Sequence, residues 1–280
     1  MTMLIDASDT NTIPVDIEQK IMRYFALMSE REIEDIKNQK LEYAHDVLCA
    51  IEKYVAPYTA YDFYQELIAL FDQYEIVCYH STKILDKSII LLDGLKTNDW
   101  STYSRNIINA FKKLNVKEND IGEAIKVIKK QYDWKYPPLD REPQLCFYSD
   151  LGLLSNNMSA GYEKFCENIG GELAQGALKY DYPQIYSCLR ENGDAILVKF
   201  KIPFIDISSY NKDSIVYHFV AYFAGKNFWN YNYEIHFDGN TDKDIAPNNI
   251  LEIIPYTVDR PYFQSDDETE GKVQEMGNVN

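Results

Sequence analysis

Several signatures of common enzyme classes are missing from this sequence. It contains no GxxxxGK[ST] loop, no GxGxxG turn, no HExxH pair and no GxSxG elbow. Only four histidines are present, and neither they nor the five cysteines stand at metal-ligand spacing. These absences disfavour P-loop NTPases, Rossmann-type enzymes, zincins and α/β-hydrolases, and the sequence predicts no metal cofactor.

Basic residues are also scarce, since 28 Lys and Arg against 44 Asp and Glu give a formal net charge of -16. A field of this sign repels nucleic-acid backbones and anionic membranes at long range, which disfavours nonspecific nucleic-acid binding. The first residues lack a basic start and an apolar run, and no stretch reaches ~18 consecutive apolar residues, so neither a signal peptide nor a membrane span is predicted. Scattered cysteines in odd number indicate a reducing compartment, and we expect a soluble, cytoplasmic protein without membrane partners.

What the sequence does contain is a change of period along the chain. Apolar residues at helical spacing predict helices in four segments, namely 14–75, 84–95, 102–134 and 150–180. Alternating or continuous apolar runs predict β-strands in six segments, namely 75–80, 144–148, 195–202, 215–223, 231–237 and 250–256. Because most of the predicted helices come before most of the predicted strands along the chain, the sequence favours an α+β fold over a doubly wound sheet.

The same patterns divide the chain into four parts. Residues 1–13 are polar and without pattern, residues 264–280 are acidic, and both ends are predicted to be disordered. Residues 14–75 are expected to form a helical N-terminal segment. Residues 76–257 are expected to form one α+β catalytic domain.

Three segments carry candidate chemistry because each lies at a predicted strand end, where side chains can converge on a cleft. His80-Ser81-Thr82 is followed by Leu91-Leu92-Asp93-Gly94-Leu95. Phe147-Tyr148-Ser149-Asp150 is followed by Ser155 and Tyr162, and Glu234 by Ile245-Ala246-Pro247-Asn248-Asn249-Ile250. With these motifs in this order, residues 76–256 resemble the ADP-ribosyltransferase superfamily. The resemblance is to its His–Tyr–Glu branch, which includes diphtheria-like toxins and poly-ADP-ribose polymerases.

The resemblance implies split, mostly antiparallel β-sheets surrounded by helices, with NAD as cosubstrate and no metal. It implies three catalytic residues, namely Glu234, His80 and Tyr148. A carboxylate at position 234 would stabilise the cationic ribose that forms as nicotinamide leaves, as in glycoside hydrolysis. The implied NAD-binding residues are His80, Ser81, Thr82, Phe147, Tyr148 and Tyr162, with His80 on the adenosine ribose and either Phe147 or Tyr148 stacked on nicotinamide.

Each candidate residue also has a structural interpretation. Glu234 fits the solvent face of an amphipathic strand, and His80 fits a hydrogen-bonded histidine at a strand end. Glu172, after Gly170-Gly171, is an alternative catalytic acid, and its structural interpretation is an acid that caps a broken helix.

The resemblance implies an ADP-ribosyltransferase that modifies a protein or a nucleic acid, as a bacterial toxin or defence effector restrained by an antitoxin protein. Two enzyme alternatives are an NAD glycohydrolase and an RNA 2′-phosphotransferase-like enzyme. A third alternative is a noncatalytic acidic interaction or immunity protein, whose charge would steer it to a partner.

Overall fold

The structure is a computed structural model that describes residues 3–39, 44–55, 57–135, 143–154, 165–229 and 233–257. The α-helices of these residues are α1 Val15–Phe25, α2 Glu30–Lys37, α3 Ala44–Glu52, α4 Pro57–Phe71, α5 Ser88–Asp93, α6 Trp100–Lys113, α7 Glu118–Lys135, α8 Gly171–Leu178, α9 Pro183–Glu191 and α10 Ser209–Ala224. The β-strands are β1 Leu4–Ile5, β2 Glu75–Ile84, β3 Leu145–Tyr148, β4 Asp194–Pro203, β5 Asp238–Thr241 and β6 Ile250–Pro255. This mixture of helices and one mostly antiparallel sheet confirms the α+β class.

Local sequence chemistry fixes several helix starts. The Ser29 hydroxyl accepts the Glu32 amide at the start of α2, and the Glu32 carboxylate accepts the Ser29 amide at 2.7 Å, which forms a capping box. Asp99 caps α6 by accepting the Thr102 amide at 2.9 Å. None of the helices in the described ranges is both long and apolar enough to cross a bilayer.

The sheet has the strand order β5-β3-β2-β4-β6, and β1 adds to β2 in parallel. β2 and β4 pair along their whole length, from Glu75↔Pro203 to Ile84↔Asp194. In contrast, the register between β2 and β3 contains Tyr79↔Tyr148 alone in the described part of the chain. The pairing between β2 and β3 is therefore short, although both strands belong to the same six-stranded sheet.

Three hydrophobic clusters hold the elements together. The main core joins one face of the sheet to α1, α3, α4 and α10, and includes Leu48, Leu67, Val198 and Phe219. The helical core joins α6, α7, α8 and α9. The small core lies on the other face of the sheet and consists of Val77, Tyr79, Tyr148, Cys166 and Leu197. Removal of these apolar side chains from water is the main driving force that stabilises the fold.

Helices α1 to α4 confirm the helical interpretation of residues 14–75, and α6 and α7 confirm that of 102–134. The division into a helical segment and a separate catalytic domain stays a prediction. Helices α1, α3 and α4 bury their apolar faces in the main core together with the sheet.

The predicted strand 215–223 is wrong, because these residues belong to helix α10. Residues Ile215, Val216, Phe219, Val220 and Phe223 are all buried in the main core. A helix that is buried on most sides shows a continuous apolar run, which periodicity does not separate from a buried strand.

The prediction that residues 1–13 are disordered is also wrong for those of them that the structure describes. Leu4 pairs with Glu75 and Ile5 with Ile76, so β1 fills the edge of β2 that β3 leaves open. Asp9 then accepts the Asn11 amide at 3.2 Å and caps a short 3-10 turn. The predicted tail at 264–280 lies outside the described residues.

Three predicted boundaries also need correction. The strand predicted at 75–80 continues to Ile84, because β4 pairs with every residue of it. The strand predicted at 231–237 is instead β5, which begins at Asp238. In the segment predicted as helix 150–180, the described residues are α-helical only at Gly171–Leu178.

Candidate functional site

The candidate site forms where β3 ends and the chain approaches β5. The two strands pair in antiparallel register with Tyr148 opposite Asp238. Their alignment continues beyond the ladder, because the Ser149 amide donates to the Phe237 carbonyl at 2.9 Å. Asp150 and His236 are therefore neighbours although 86 residues separate them.

A hydrogen-bonded chain of three side chains crosses this point. The Nδ1 atom of His236 lies 2.8 Å from Oδ2 of Asp150, and its Nε2 atom lies 2.5 Å from Oε2 of Glu234. Both ring nitrogens face carboxylate oxygens, which suits the doubly protonated imidazole. Burial lowers the pKa of His236, but the hydrogen bonds and charges of Asp150 and Glu234 outweigh it and raise the pKa overall.

The two carboxylates of this chain have different surroundings. The Asp150 side chain is only 10% exposed, whereas that of Glu234 is 73% exposed. Asp150 also accepts the Ser149 hydroxyl at 2.8 Å and the Gly152 amide at 2.7 Å. Asp150 is thus the fixed, inner end of the chain, and Glu234 is the outer end that can meet a ligand.

Gly152 permits the close approach of these groups. A Cβ atom at this position would lie 2.8 Å from Oδ1 of Asp150 and 3.4 Å from Cε1 of His236. The first distance is too short for a carbon next to an oxygen, so any larger residue would displace the carboxylate that holds the imidazole.

A second histidine lies in range of the charge on His236. Burial, together with the positive charge of His236, lowers the pKa of His218 on α10 to about 4, and Asp238 offsets part of the shift. His218 is therefore neutral at physiological pH while His236 is the favoured carrier of the proton. Among the residues that the structure describes, no group of three or more His, Cys, Asp or Glu side chains could hold a metal ion.

His80 lies in the middle of β2 rather than at a strand end, and it is opposite Val198 of β4. Its Nδ1 atom is 2.9 Å from the carbonyl oxygen of Cys146, so the imidazole bridges the gap where β3 separates from β2. Burial lowers the pKa of His80, and the contact with Cys146 offsets part of the shift. This histidine is a neutral link between the two parts of the sheet.

The structure does not bring His80 and Glu234 together. His80 lies on the same face as Val198, in the main core, whereas alternation around the main-core residues Ile235 and Phe237 turns Glu234 and His236 to the other face. Strand spacing and rise separate the Cα atoms of His80 and His236 by roughly 14 Å. The expectation of a cleft shared by both side chains stays a prediction.

Both candidate aromatic residues are fully buried, and they lie on opposite faces of β3. Tyr148 stacks on Tyr79 in the small core, with ring centroids 6.1 Å apart. Phe147 meets Phe200 edge-on in the main core, with centroids 6.3 Å apart. Alternation therefore assigns Tyr148, rather than Phe147, to the face that also bears Glu234.

The remaining predicted residues are placed as follows. Ser81 is buried and Thr82 is half-buried, both within the β2–β4 pairing. Tyr162 lies outside the described residues. Glu172 is in the first turn of α8, after Gly170 with a φ of 85°, which agrees with its interpretation as a helix-capping acid.

The motifs downstream of the candidate residues contact each other. The Leu95 amide donates to the Ile245 carbonyl at 3.0 Å, and the Ile245 amide donates to the Leu95 carbonyl at 2.9 Å. Gly94 has a φ of 75° and is needed there, because a Cβ atom would lie 1.9 Å from the Ile245 oxygen. Two short motifs separated by 150 residues of sequence thus form one junction beside the sheet.

His236 is a candidate functional residue that sequence reasoning missed. Its signal was present, because Glu234 and His236 are two residues apart and face the same side of an extended segment. Comparisons of the chain with protein-family models, curated proteins and solved structures found no match.

Proposed function

We propose that this protein is an NAD-dependent ADP-ribosyltransferase. In this proposal Glu234 supplies the catalytic carboxylate, and Asp150 and His236 are positioning residues. One observation carries the proposal, namely the hydrogen-bonded chain from buried Asp150 through His236 to exposed Glu234. The chain ends on the residue to which the family resemblance assigns the chemistry.

The chemistry requires a carboxylate that stays ionised at a fixed position. NAD supplies a nicotinamide-ribose bond whose cleavage develops positive charge on the sugar. A carboxylate next to that sugar stabilises the charge, as in glycoside hydrolysis. The His236 imidazole holds the Oε2 atom of Glu234, while Asp150 fixes the ring.

The fold supports the proposal through the arrangement of the motif segments. β3, which ends in Tyr148, lies between β2, which carries His80, and β5, which follows Glu234. The pairing between β2 and β3 is short, and this is the place where the split antiparallel sheets that the resemblance implies would separate. Within this proposal His80 links the two parts of the sheet and does not bind the ribose.

The acceptor in this proposal is a macromolecule, either a protein or a nucleic acid. The biological role that follows is that of a cytoplasmic toxin or defence effector, with an antitoxin protein as its partner. The net charge of -16 favours a basic protein as acceptor or antitoxin, because opposite charge speeds encounter.

A second candidate function is NAD glycohydrolysis. The 73% exposure of the Glu234 side chain favours it, because water then has access to the sugar that the carboxylate stabilises. Transfer and hydrolysis share the cleavage step and differ only in the group that captures the ribose.

The test is incubation of the full-length protein with NAD labelled in the adenylate, together with total cellular protein and RNA. We expect the wild type to release nicotinamide and to label a macromolecule, and Glu234→Gln to lower the rate about 100-fold or more. Glu123→Gln, in an exposed pair with Lys126 on α7, is the matched control and should keep the wild-type rate. Free ADP-ribose without a labelled acceptor would establish hydrolysis, and an unchanged rate in Glu234→Gln would refute both functions.

A further inference from the structure

A cavity of about 570 Å³ lies away from the candidate site. It is lined at the C-terminal end of β2 by Lys83, and across β4 and β6 by Asp194 and Tyr256. The candidate site is near the other end of β2, because the chain beyond Tyr148 runs antiparallel to this strand towards Glu75. The cavity volume is within the range of about 300–1,000 Å³ that is usual for small-molecule sites.

The cavity collects positive charge in a chain that is strongly negative overall. Lys83, Lys87 and Arg190 all line it, whereas the whole chain has 28 basic residues against 44 acidic ones. The Lys83 ammonium donates to the carbonyl oxygens of Arg190 and Glu167, which fixes its position at the end of α9. Burial and the positive charge of Arg190 lower the pKa of Lys83, and the charges of Cys166, Asp194 and Glu167 offset part of the shift. An anion placed next to Lys83 and Arg190 would further reduce the repulsion between these two cations.

The other polar and aromatic groups of the cavity narrow the ligand class. Glu167 and Asp194 place carboxylates beside the cations, and these can accept hydrogen bonds from hydroxyl groups. Tyr256 is half-buried, packs against the small core and also lines this cavity, so it is the aromatic residue nearest to a bound ligand among the lining residues. A cationic end, hydroxyl acceptors and an aromatic ring together match a phosphate, a sugar and a base.

We infer that this cavity binds a nucleotide. The phosphate of the nucleotide contacts Lys87 and Arg190, and its sugar hydroxyls face Asp194 and Glu167. Its base stacks on Tyr256. Lys83 adds positive charge behind the phosphate. This site uses no residue of the Asp150–His236–Glu234 chain and does not depend on the proposed function.

The test is calorimetric titration of the full-length protein with AMP, adenosine and inorganic phosphate. We expect AMP to bind more tightly than either fragment, and Arg190→Ala and Lys87→Ala each to weaken AMP binding about tenfold or more. Lys87 is exposed, so its substitution leaves the fold intact and the result interpretable. Lys126→Ala on α7 is the control and should bind AMP as the wild type does.

Tyr256→Ala separates a nucleotide site from a simple anion site. We expect this change to weaken AMP binding and to leave phosphate binding unchanged, because only the base contacts the ring. No AMP binding at millimolar concentration, or unchanged binding in both cation variants, would overturn the inference. Equal affinity for AMP and phosphate, with no effect of Tyr256→Ala, would also overturn it.

Discussion

Replacement of Asp150 by Asn tests whether the buried carboxylate sets the protonation of His236. The side chain keeps its size, but its charge is lost, and one of its oxygens becomes an amide that donates. If the remaining oxygen accepts the Gly152 amide, the new NH₂ group faces Nδ1 of His236, which must then give up its proton to accept. We therefore expect Asp150→Asn to lower the pKa of His236.

The magnitude follows from the hydrogen bond that is lost. A hydrogen bond to a charged partner is worth about 1.5–3 kcal/mol, and this value must be reduced because the His236 side chain is 32% exposed and solvent screens it. We expect a loss of about 1–2 kcal/mol in the free energy of unfolding. For a chain of this size, such a loss lowers the Tm by roughly 2–4 °C.

The direction of the pKa shift of His236 determines how the free energy of unfolding changes with pH. The folded-state pKa of His236 is raised above the ordinary histidine value of 6.5, so its protonation stabilises the fold. This stabilisation is fully present below about pH 6.5 and is lost as the pH rises through the folded-state pKa. Asp150→Asn should therefore reduce the difference in unfolding free energy between pH 6 and pH 9, measured by urea denaturation.

Two measurements make this prediction refutable. NMR titration of the imidazole signals gives the pKa of His236 directly in both proteins. Asp16→Asn is a matched control, because Asp16 accepts the Tyr74 hydroxyl at 2.6 Å and does not contact His236. An unchanged pKa of His236 in Asp150→Asn would show that the buried carboxylate does not control this imidazole.

Two further changes test other parts of the structure. We expect His218→Gln to reduce the stability that the protein loses at acid pH. The folded-state pKa of His218 is lowered to about 4, so the contribution of this histidine to stability is present above pH 6.5 and is lost as the pH falls towards 4. Urea denaturation at pH 7.5 and pH 5 should show a smaller difference in the variant, by at most roughly 2 kcal/mol, and an equal difference would contradict the assignment. Gly94→Ala should destabilise by about 3 kcal/mol or more, because φ is 75° and the Cβ would meet the Ile245 oxygen at 1.9 Å. Gly122→Ala, with no atom within 4 Å of its Cβ, is the control in thermal denaturation and should instead stabilise by up to about 1 kcal/mol.

The parts of the fold that could be predicted are those with one strong local signal. Helix α1 buries Ile17, Ile21 and Phe25, which recur at helical spacing, and most of its other residues are polar. Strand β4 was predicted almost to its ends, because its apolar run is too short for a long helix.

Prediction failed where tertiary contacts replace the local signal. Helix α10 packs against α3, α4 and the sheet, so its buried residues form a nearly continuous run rather than a stripe. The residues of β1 give no pattern on their own, and they are ordered because β2 offers unpaired backbone groups at Glu75 and Ile76. Neither contact can be inferred from the segment that makes it.

The candidate site shows the same division between local and distant information. The family resemblance pointed to Glu234, and spacing alone would have added His236. The role of Asp150 depends instead on the pairing of β3 with β5, which places it 2.8 Å from His236. A shift of one residue in that pairing would turn Asp150 to the opposite face and leave the imidazole without its buried partner. The exposed carboxylate of Glu234 is therefore positioned by the register of two four-residue strands, and substitutions that disturb this register should alter the pKa of His236 even without contact to either carboxylate.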